Sequence, residues 1–309
     1  MSKCAMAGWI TNTAAGELFK NSKARKFTNL IEMATQPDFK PIPTGLRYST
    51  TIKNTFKKEM SNNVIAMLEG SEKPEEYLIY TAHWDHLGVG QVVNGDSIYN
   101  GALDNASGTA TVLAIAQSFA QTKPKRSVVF LLVTAEEQGL LGSRWYAQNP
   151  IFPLDQTIAN LNKDGANIIG PMKDLTITGY GQSTLDDLAK AEAAKQDRYL
   201  TGDPEPEKGY FFRSDHFEFA KVGVPAFYAQ GRYEHREKGV EYAQQKADEY
   251  TSVNYHQPSD EYSDDWDLSG AVEDAQLYLN MGLRLANEEL YPEWKEGSEF
   301  KDKRKKLAD

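Results

Sequence analysis

Residues 77–85 read Tyr77-Leu78-Ile79-Tyr80-Thr81-Ala82-His83-Trp84-Asp85, an apolar run that ends on an imidazole and a carboxylate. A short run rich in aromatic and β-branched residues, without turn formers, predicts a strand buried on both faces. Working outward, the same arrangement recurs. The run Ser127 to Thr134 is followed by Ala135-Glu136-Glu137-Gln138-Gly139, and Thr157 to Asn162 is followed by Lys163-Asp164-Gly165. Further strand-like runs lie at Val64 to Leu68, Leu175 to Thr178 and Pro225 to Ala229. Helical patterns fall between and after them, at Ala106 to Gln121, Leu140 to Ala147, Thr184 to Lys195, His216 to Ala220 and Leu268 to Leu290. Alternation of this kind predicts an α/β fold, with a mixed, mostly parallel central sheet covered by helices on both faces in three layers. In such sheets ligands bind beyond the carboxyl ends of the strands, which is where the polar residues fall.

The flanks differ in texture. Residues 1–45 are polar, carry a short helical pattern at Lys23 to Ala34, and end in Pro41-Ile42-Pro43, so they read as a connecting segment ahead of a domain at 46–290. Residues 291–309 are highly charged and read as an exposed tail or a short surface helix. Met1 to Thr13 lacks the charged and apolar regions of a signal peptide. No apolar run approaches the roughly 20 residues that span a bilayer, so no integral membrane segment is expected. With Cys4 as the single cysteine, no intramolecular disulfide can form, and any metal site must be built from His, Asp and Glu. A formal net charge of −10 argues against nucleic acid as a partner.

The strand ends and loops together offer His83-x-Asp85, then Gly101-Ala102-Leu103-Asp104-Asn105-Ala106-Ser107-Gly108 opening a helix, then Glu136-Glu137, Asp164, and a late Tyr255-His256-Gln257-Pro258-Ser259-Asp260. Imidazoles and carboxylates are the donors that zinc accepts, and two-metal hydrolytic sites combine them. Each element alone is weak, since a Glu-Glu pair is usually a solvated helix face. Their order along successive strand ends carries the signal. The chain has no H-E-x-x-H, paired C-x-x-C, Walker loop or G-x-S-x-G elbow.

This ordered set resembles the dizinc exopeptidase family of bacterial aminopeptidases, whose wider group also holds glutamate carboxypeptidase and glutaminyl cyclase. The resemblance covers roughly residues 60–290. It implies two zinc ions bridged by Asp104, with His83 and Asp164 completing one and Glu137 and His256 the other. Glu136 is then the general base, Asp85 accepts the free N–H of His83, and Asp260 does the same for His256. Tyr255 donates to the oxyanion, and the Asp104–Asn105 peptide bond is cis. The implied activity is hydrolysis of the N-terminal residue of a peptide. Relatives of this kind are largely exported, which implies a periplasmic or extracellular location.

Other residues keep two readings. His86 is a solvated or supporting residue rather than a ligand. Arg213, Asp215 and His216 stand where the family places its substrate pocket, but Ser214 or Asp215 could equally cap a helix. Tyr210, Phe211 and Phe212 line a pocket or fill the core. Arg232, Arg236 and the stretch through Thr251 form a solvated surface, or else a lid or carboxylate clamp. Among functions, a carboxypeptidase or dipeptidase using Arg213 or Arg232 to hold a free carboxylate is the runner-up. A glutaminyl-cyclase-like transferase and a non-catalytic receptor ectodomain come behind, since all five ligand positions and Glu136 are filled.

Overall fold

The computed structural model describes residues 8–22, 26–36 and 38–308, so Cys4 and part of the Lys23 to Ala34 pattern lie outside the described residues. The chain divides into two compact units, Met1–Glu59 and Met60–Asp309. In the first, helix α1 (Asn12–Lys20) starts where the Thr11 side chain accepts the N–H of Ala14, satisfying one of the free amides of a helix start. Helix α2 (Phe27–Ala34) follows, and residues 39–59 have no regular structure.

The second unit runs β1 (Val64–Leu68), β2 (Lys73–His83), β3 (Gly88–Val93), β4 (Asp96–Tyr99), α3 (Gly108–Phe119), β5 (Arg126–Val133), α4 (Leu141–Gln148), β6 (Thr157–Asn162), β7 (Asp174–Ile177), α5 (Leu185–Lys195), β8 (Tyr199–Gly202), α6 (His216–Lys221), β9 (Ala226–Gln230), α7 (Gly239–Val253), α8 (Ser269–Asn287) and α9 (Lys301–Ala308). Seven strands form one sheet in the order β1-β5-β2-β6-β9-β7-β8. β5, β2, β6 and β9 run parallel to one another, β1 joins antiparallel at one edge, and the parallel pair β7 and β8 joins antiparallel through β9. The sheet is mixed and mostly parallel, as the sequence predicts.

Both faces are covered, and the central strands are buried on both sides, mostly by apolar residues. Along β2, Leu78, Tyr80 and Ala82 meet Val112, Ile115 and Phe119 of α3 and Leu277 and Met281 of α8. On the other face Ile79, with Val129, Leu131 and Val133 of β5, meets Tyr146 of α4 and Phe219 of α6. Alternation of neighbouring side chains across the pleat produces the two layers, and each such side chain removed from water contributes about 1.5–3 kcal/mol. Helix α8 lies so close to the sheet that a Cβ at Gly282 would fall 1.7 Å from the Tyr80 hydroxyl. That hydroxyl donates to the Tyr278 carbonyl at 2.8 Å. Among the described residues no helix is long and apolar enough to cross a membrane.

Three segments differ from the sequence reading. The polar loop between His83 and Gly101 contains the β3–β4 hairpin, turned at Asn94-Gly95 with φ of 51° and 93°. Asn-Gly is the preferred dipeptide for such a turn. The charged stretch before Tyr255 forms α7, in which Ala243 alone is buried, so its pattern carries little apolar signal. Residues 291–304 are not a free tail. Trp294 and Phe300 are each 3% exposed, and the Trp294 indole N–H donates to the Gly223 carbonyl at 2.9 Å. The charged composition hid two aromatic anchors, and only α9 matches the short surface helix expected there.

Candidate active site

The carboxyl ends of the three central strands β5, β2 and β6 bring the chemistry together. His83 closes β2, buried, and its Nε2 lies 3.2 Å from Asp104 Oδ1 and 3.4 Å from Asp164 Oδ1 just beyond β6. Past β5 the chain turns through Ala135 at φ 54° and presents Glu136 and Glu137. His256, itself at φ 57°, sets Nε2 3.2 Å from Asp104 Oδ2 and 3.2 Å from Glu137 Oε2. Asp104 therefore offers one oxygen to each of two groups. His83, Asp104 and Asp164 hold donor atoms within 4.8 Å of one another, and so do His86, Asp104 and Glu137. Metal bonds of roughly 2.0–2.1 Å in a tetrahedron put neighbouring donors about 3.3 Å apart, and the spacings around His83 and His256 match that edge. Glu137 Oε1 is buried and meets His86 Nδ1 at 2.9 Å, and a buried carboxylate of this kind is stable only when a cation or donor completes it. The donor set fits a pair of divalent metal ions.

Asp104 lies within an irregular turn, Ala102–Ser107, ahead of α3, and its peptide bond to Asn105 is cis. Asn105 is buried and ties this turn to β6. Its Nδ2 donates to the Lys163 carbonyl at 3.1 Å, while its Oδ1 accepts the N–H of Gly108 at 3.0 Å and of Gly165 at 2.7 Å. Sequence reasoning gave this asparagine no such role. Its place directly after Asp104, between Gly101 and Gly108, was the available signal.

Two supporting carboxylates act differently from expectation. Asp85 does not use its carboxylate chiefly on His83, whose Nδ1 is 3.2 Å from the Asp85 backbone carbonyl and 3.7 Å from its carboxylate. The carboxylate instead accepts the N–H groups of Glu136 at 3.1 Å and Glu137 at 3.4 Å, fixing the turn that carries both. Asp260 forms no bond to His256. It accepts the N–H groups of Leu103 at 3.0 Å and Asp104 at 3.1 Å, and the Tyr250 hydroxyl at 3.2 Å, so it holds the backbone under Asp104. A residue count along the chain cannot tell which of two adjacent partners a short carboxylate reaches. The His86 ring is shielded rather than solvated, its side chain 6% exposed, with Nδ1 2.9 Å from Glu137 Oε1 and its ring edge-on to His256.

The electrostatics follow from crowded charge. Burial opposes the charged form of His83, but Asp104, Asp164 and Asp85 outweigh it and raise its pKa well above the ordinary value. Asp104 and Glu137 raise His256 to about 10. The same contacts hold Asp104 and Glu137 below the usual carboxylate range despite burial. Glu136 goes the other way: burial, then the charge of Asp164, pushes it to about 9. Burial and the Asp104 charge push Tyr255 to about 12, so its hydroxyl stays a donor at neutral pH.

A cleft of about 750 Å³ opens over this cluster, walled by Leu140, Ile168, Tyr210, Phe212, Tyr228 and α7. Tyr255 and Arg213 both line it. The Tyr255 ring stacks on His256 at 3.9 Å, and Arg213 donates to its hydroxyl at 3.4 Å. Asp215 and His216, expected at the substrate, are instead buried behind the cleft, 1% and 0% exposed. Asp215 accepts from Ser143 at 2.5 Å, and burial raises it to about 7. His216 packs edge-on against Phe211, and burial lowers it to about 3. Neither capping alternative is realised. Asp215 stands before α6 without a capping bond, and Ser214 accepts from Asn162 at 2.8 Å. The aromatic trio splits, since Tyr210 and Phe212 face the cleft while Phe211 joins Phe217 and Phe300.

Residues 63–280 match peptidase family M28. The chain belongs to that family. Among curated proteins it is similar to the mouse protein named Aminopeptidase NAALADL1, 30% identical over 138 residues, or 41% of this chain and 17% of that one. It is also similar to a probable zinc metalloprotease of Pyrenophora teres f. teres (strain 0-1), 43% identical over 86 residues, or 28% of this chain and 18% of that one. The M28 chain thus spans less than a fifth of the length of these relatives, 17% and 18%. Among solved structures, the aminopeptidase from Aneurinibacillus sp. strain AM-1 superposes with a TM-score of 0.52 at 22% identity, covering 73% of this chain and 48% of that one. The zinc aminopeptidase BSAP from Bacillus subtilis gives 0.53 at 20% identity, covering 74% and 51%. At those identities the superpositions establish a shared α/β fold, and M28 membership rests on the family match.

Proposed function

We propose that this M28 chain is a zinc aminopeptidase that holds two metal ions and removes the N-terminal residue of peptides. The observation that carries the reading is Asp104, whose two oxygens each lie 3.2 Å from a different histidine. The names of the relatives support zinc as the metal and aminopeptidase as the activity. His83, Asp104 and Asp164 would hold one ion, and Asp104, Glu137 and His256 the other, with His86 braced against Glu137. When bound, zinc supplies Lewis acidity, polarising the scissile carbonyl and lowering the pKa of a water molecule.

The chain's own groups do the rest. Glu136 takes a proton from the attacking water and returns it to the leaving amine; the Asp85 carboxylate, bonded to its backbone N–H, keeps it in place. The Tyr255 hydroxyl donates to the carbonyl oxygen as negative charge develops there. The acidic cluster of Asp104, Glu136, Glu137 and Asp164 favours a substrate ammonium one residue from the scissile carbonyl. N-acetylation of a test peptide should therefore abolish cleavage, while C-terminal amidation of a longer peptide should leave it largely intact. Mass spectrometry of both digests checks this, and hydrolysis of the acetylated peptide from its carboxyl end would establish the carboxypeptidase reading instead. That second reading keeps its place because Arg213 and Arg232 both line the cleft.

Asp260 gives a separate check on the support beneath the metals. Asp260→Ala should reduce metal affinity by about 10–100-fold, as losing an outer hydrogen-bond partner does, with the fold intact by circular dichroism. Unchanged affinity in a competition with a chromogenic chelator would remove Asp260 from the site.

A further inference from the structure

Helix α7 walls the cleft, yet apolar packing holds it only weakly. Ala243 is its single buried residue, while Lys246, Ala247, Tyr250 and Thr251 face the cleft beside it. An element with so few buried contacts opens more easily than the core. Its far end is tied down by the Tyr250 hydroxyl, which donates to Asp260 at 3.2 Å. Its near end depends on one imidazole. Residues 234–239 turn around the ring of His235, which is 2% exposed. Nδ1 of that ring accepts the N–H groups of Glu237 at 3.1 Å and Lys238 at 3.0 Å. The Gly239 N–H then donates to the His235 carbonyl at 3.0 Å, and Gly239 bends the chain into α7 at φ 77°. Lys238, at the cap position, makes no side-chain capping bond, so the imidazole organises the start of the helix.

A ring nitrogen that accepts two N–H groups has no room for a proton, so the ring is held neutral with its hydrogen on Nε2. That side faces Gly170 and Asp267: a Cβ at Gly170 would fall 2.9 Å from Nε2 and 2.7 Å from Asp267 Oδ2. The ring of Tyr242 meets it edge-on at 5.1 Å. Glu237, Asp267 and the Ile169 backbone favour a charged ring, but burial, then the charge of Lys238, outweighs them and holds its pKa below the ordinary value. Protonation of Nδ1 would break both bonds and set three donors against one another.

We propose that His235 is an acid-sensitive latch on α7: neutral, it fastens the near end of the helix, and protonated, it releases the turn and opens that wall of the cleft. The latch is independent of the reaction carried out in the cleft. Its sign follows from linkage. In the released turn the imidazole has its ordinary pKa of about 6.5. Above that pH neither form takes up a proton there, and the latch is at full strength. Below it the released form binds a proton that the fastened form refuses, so the latch weakens by up to about tenfold per pH unit.

Hydrogen exchange of the zinc-saturated full chain tests this, with rates corrected for the intrinsic effect of pH. Between pH about 7.5 and about 5.0, peptides covering residues 236–253 should lose at least about tenfold in protection, while those from β2 and β5 keep theirs. His235→Asn is the control, since its amide oxygen can accept the same N–H groups and does not titrate. It should stay protected at both pH values, whereas His235→Ala should be unprotected at both. Loosening caused by protons competing with the metals is common to native chain and variant, so the difference between them is the readout. Equal pH dependence in native chain and His235→Asn, or full protection of the native chain at the lower pH, overturns the proposal. Should the variants fail to fold, nitrogen NMR of the native histidines decides. The His235 ring must gain its second proton over the same pH range in which α7 loses protection, and a ring that stays neutral while α7 opens overturns the latch.

Discussion

Glu136→Gln should keep its metal ions and lose about 10²–10⁴-fold in kcat, the range expected when a general base is removed. The amide is nearly isosteric, and the backbone N–H of residue 136 still donates to Asp85, so the turn after β5 is preserved. What is lost is the ability to hold a proton between the attacking water and the leaving amine. Without a metal the Glu136 carboxyl is pushed to about 9 by burial and by Asp164, so it would be protonated at neutral pH and useless as a base. Cations beside Asp164 would cancel the charge part of that shift and favour the ionised carboxylate against its burial, which ties the basicity of Glu136 to metal loading. Glu137→Gln should behave in the opposite sense, because Glu137 sits against His86 and His256 and faces the metal position. It should weaken one metal, with activity recovering at high zinc. Metal content and single-turnover rates measured on both variants decide the matter, and near-normal kcat in fully loaded Glu136→Gln would sink the assignment.

Elemental analysis of protein reconstituted with excess zinc should reach a plateau at two metals per chain, and Asp104→Ala should lose both. The reason is geometric. Asp104 is the one residue shared by both donor groups, whereas Asp164 and Glu137 each serve a single group. Loss of Asp104 should therefore cost more than the roughly 10–100-fold of an outer partner, and Asp164→Ala should leave one metal bound. A plateau at one metal in the native chain ends the two-metal reading. Binding should also release protons. In the metal-free chain His256 is raised to about 10 and His83 well above its ordinary value, so both carry protons at neutral pH. A ligand imidazole must be neutral, so apparent affinity should rise with pH from 6 through 8 and flatten only near the His256 value of about 10. Calorimetry in buffers of different ionisation enthalpy measures that release, and a pH-independent affinity would show that these histidines do not ligate.

By itself the sequence determined the sheet and the inventory of the site. The run Tyr77 to Ala82 has no polar face, so it could only be a central strand with helices on both sides, and the chain must then deliver His83, Glu136 and Asp164 to one edge of the sheet. The family resemblance carried by the motifs named Asp104 and His256 as their companions, and the structure brings both beside His83 and Glu137. The tertiary structure alone decided how the supporting groups are used. Asp85 and Asp260 bind backbone N–H groups rather than the histidines they neighbour, because a short carboxylate serves whichever donor the fold brings within about 3 Å, and sequence distance does not encode that. Arg213, Asp215 and His216 lie within four residues of one another, yet only the first faces the cleft. The start of α6 turns the other two into the interior, where desolvation leaves the imidazole neutral. Likewise Trp294 and Phe300 look like isolated aromatics in a charged tail until α6 and the Phe211 ring supply the surface that buries them. Local pattern fixes which face of an element is apolar; contacts between segments far apart in sequence fix what that face, and each polar group beside it, will meet.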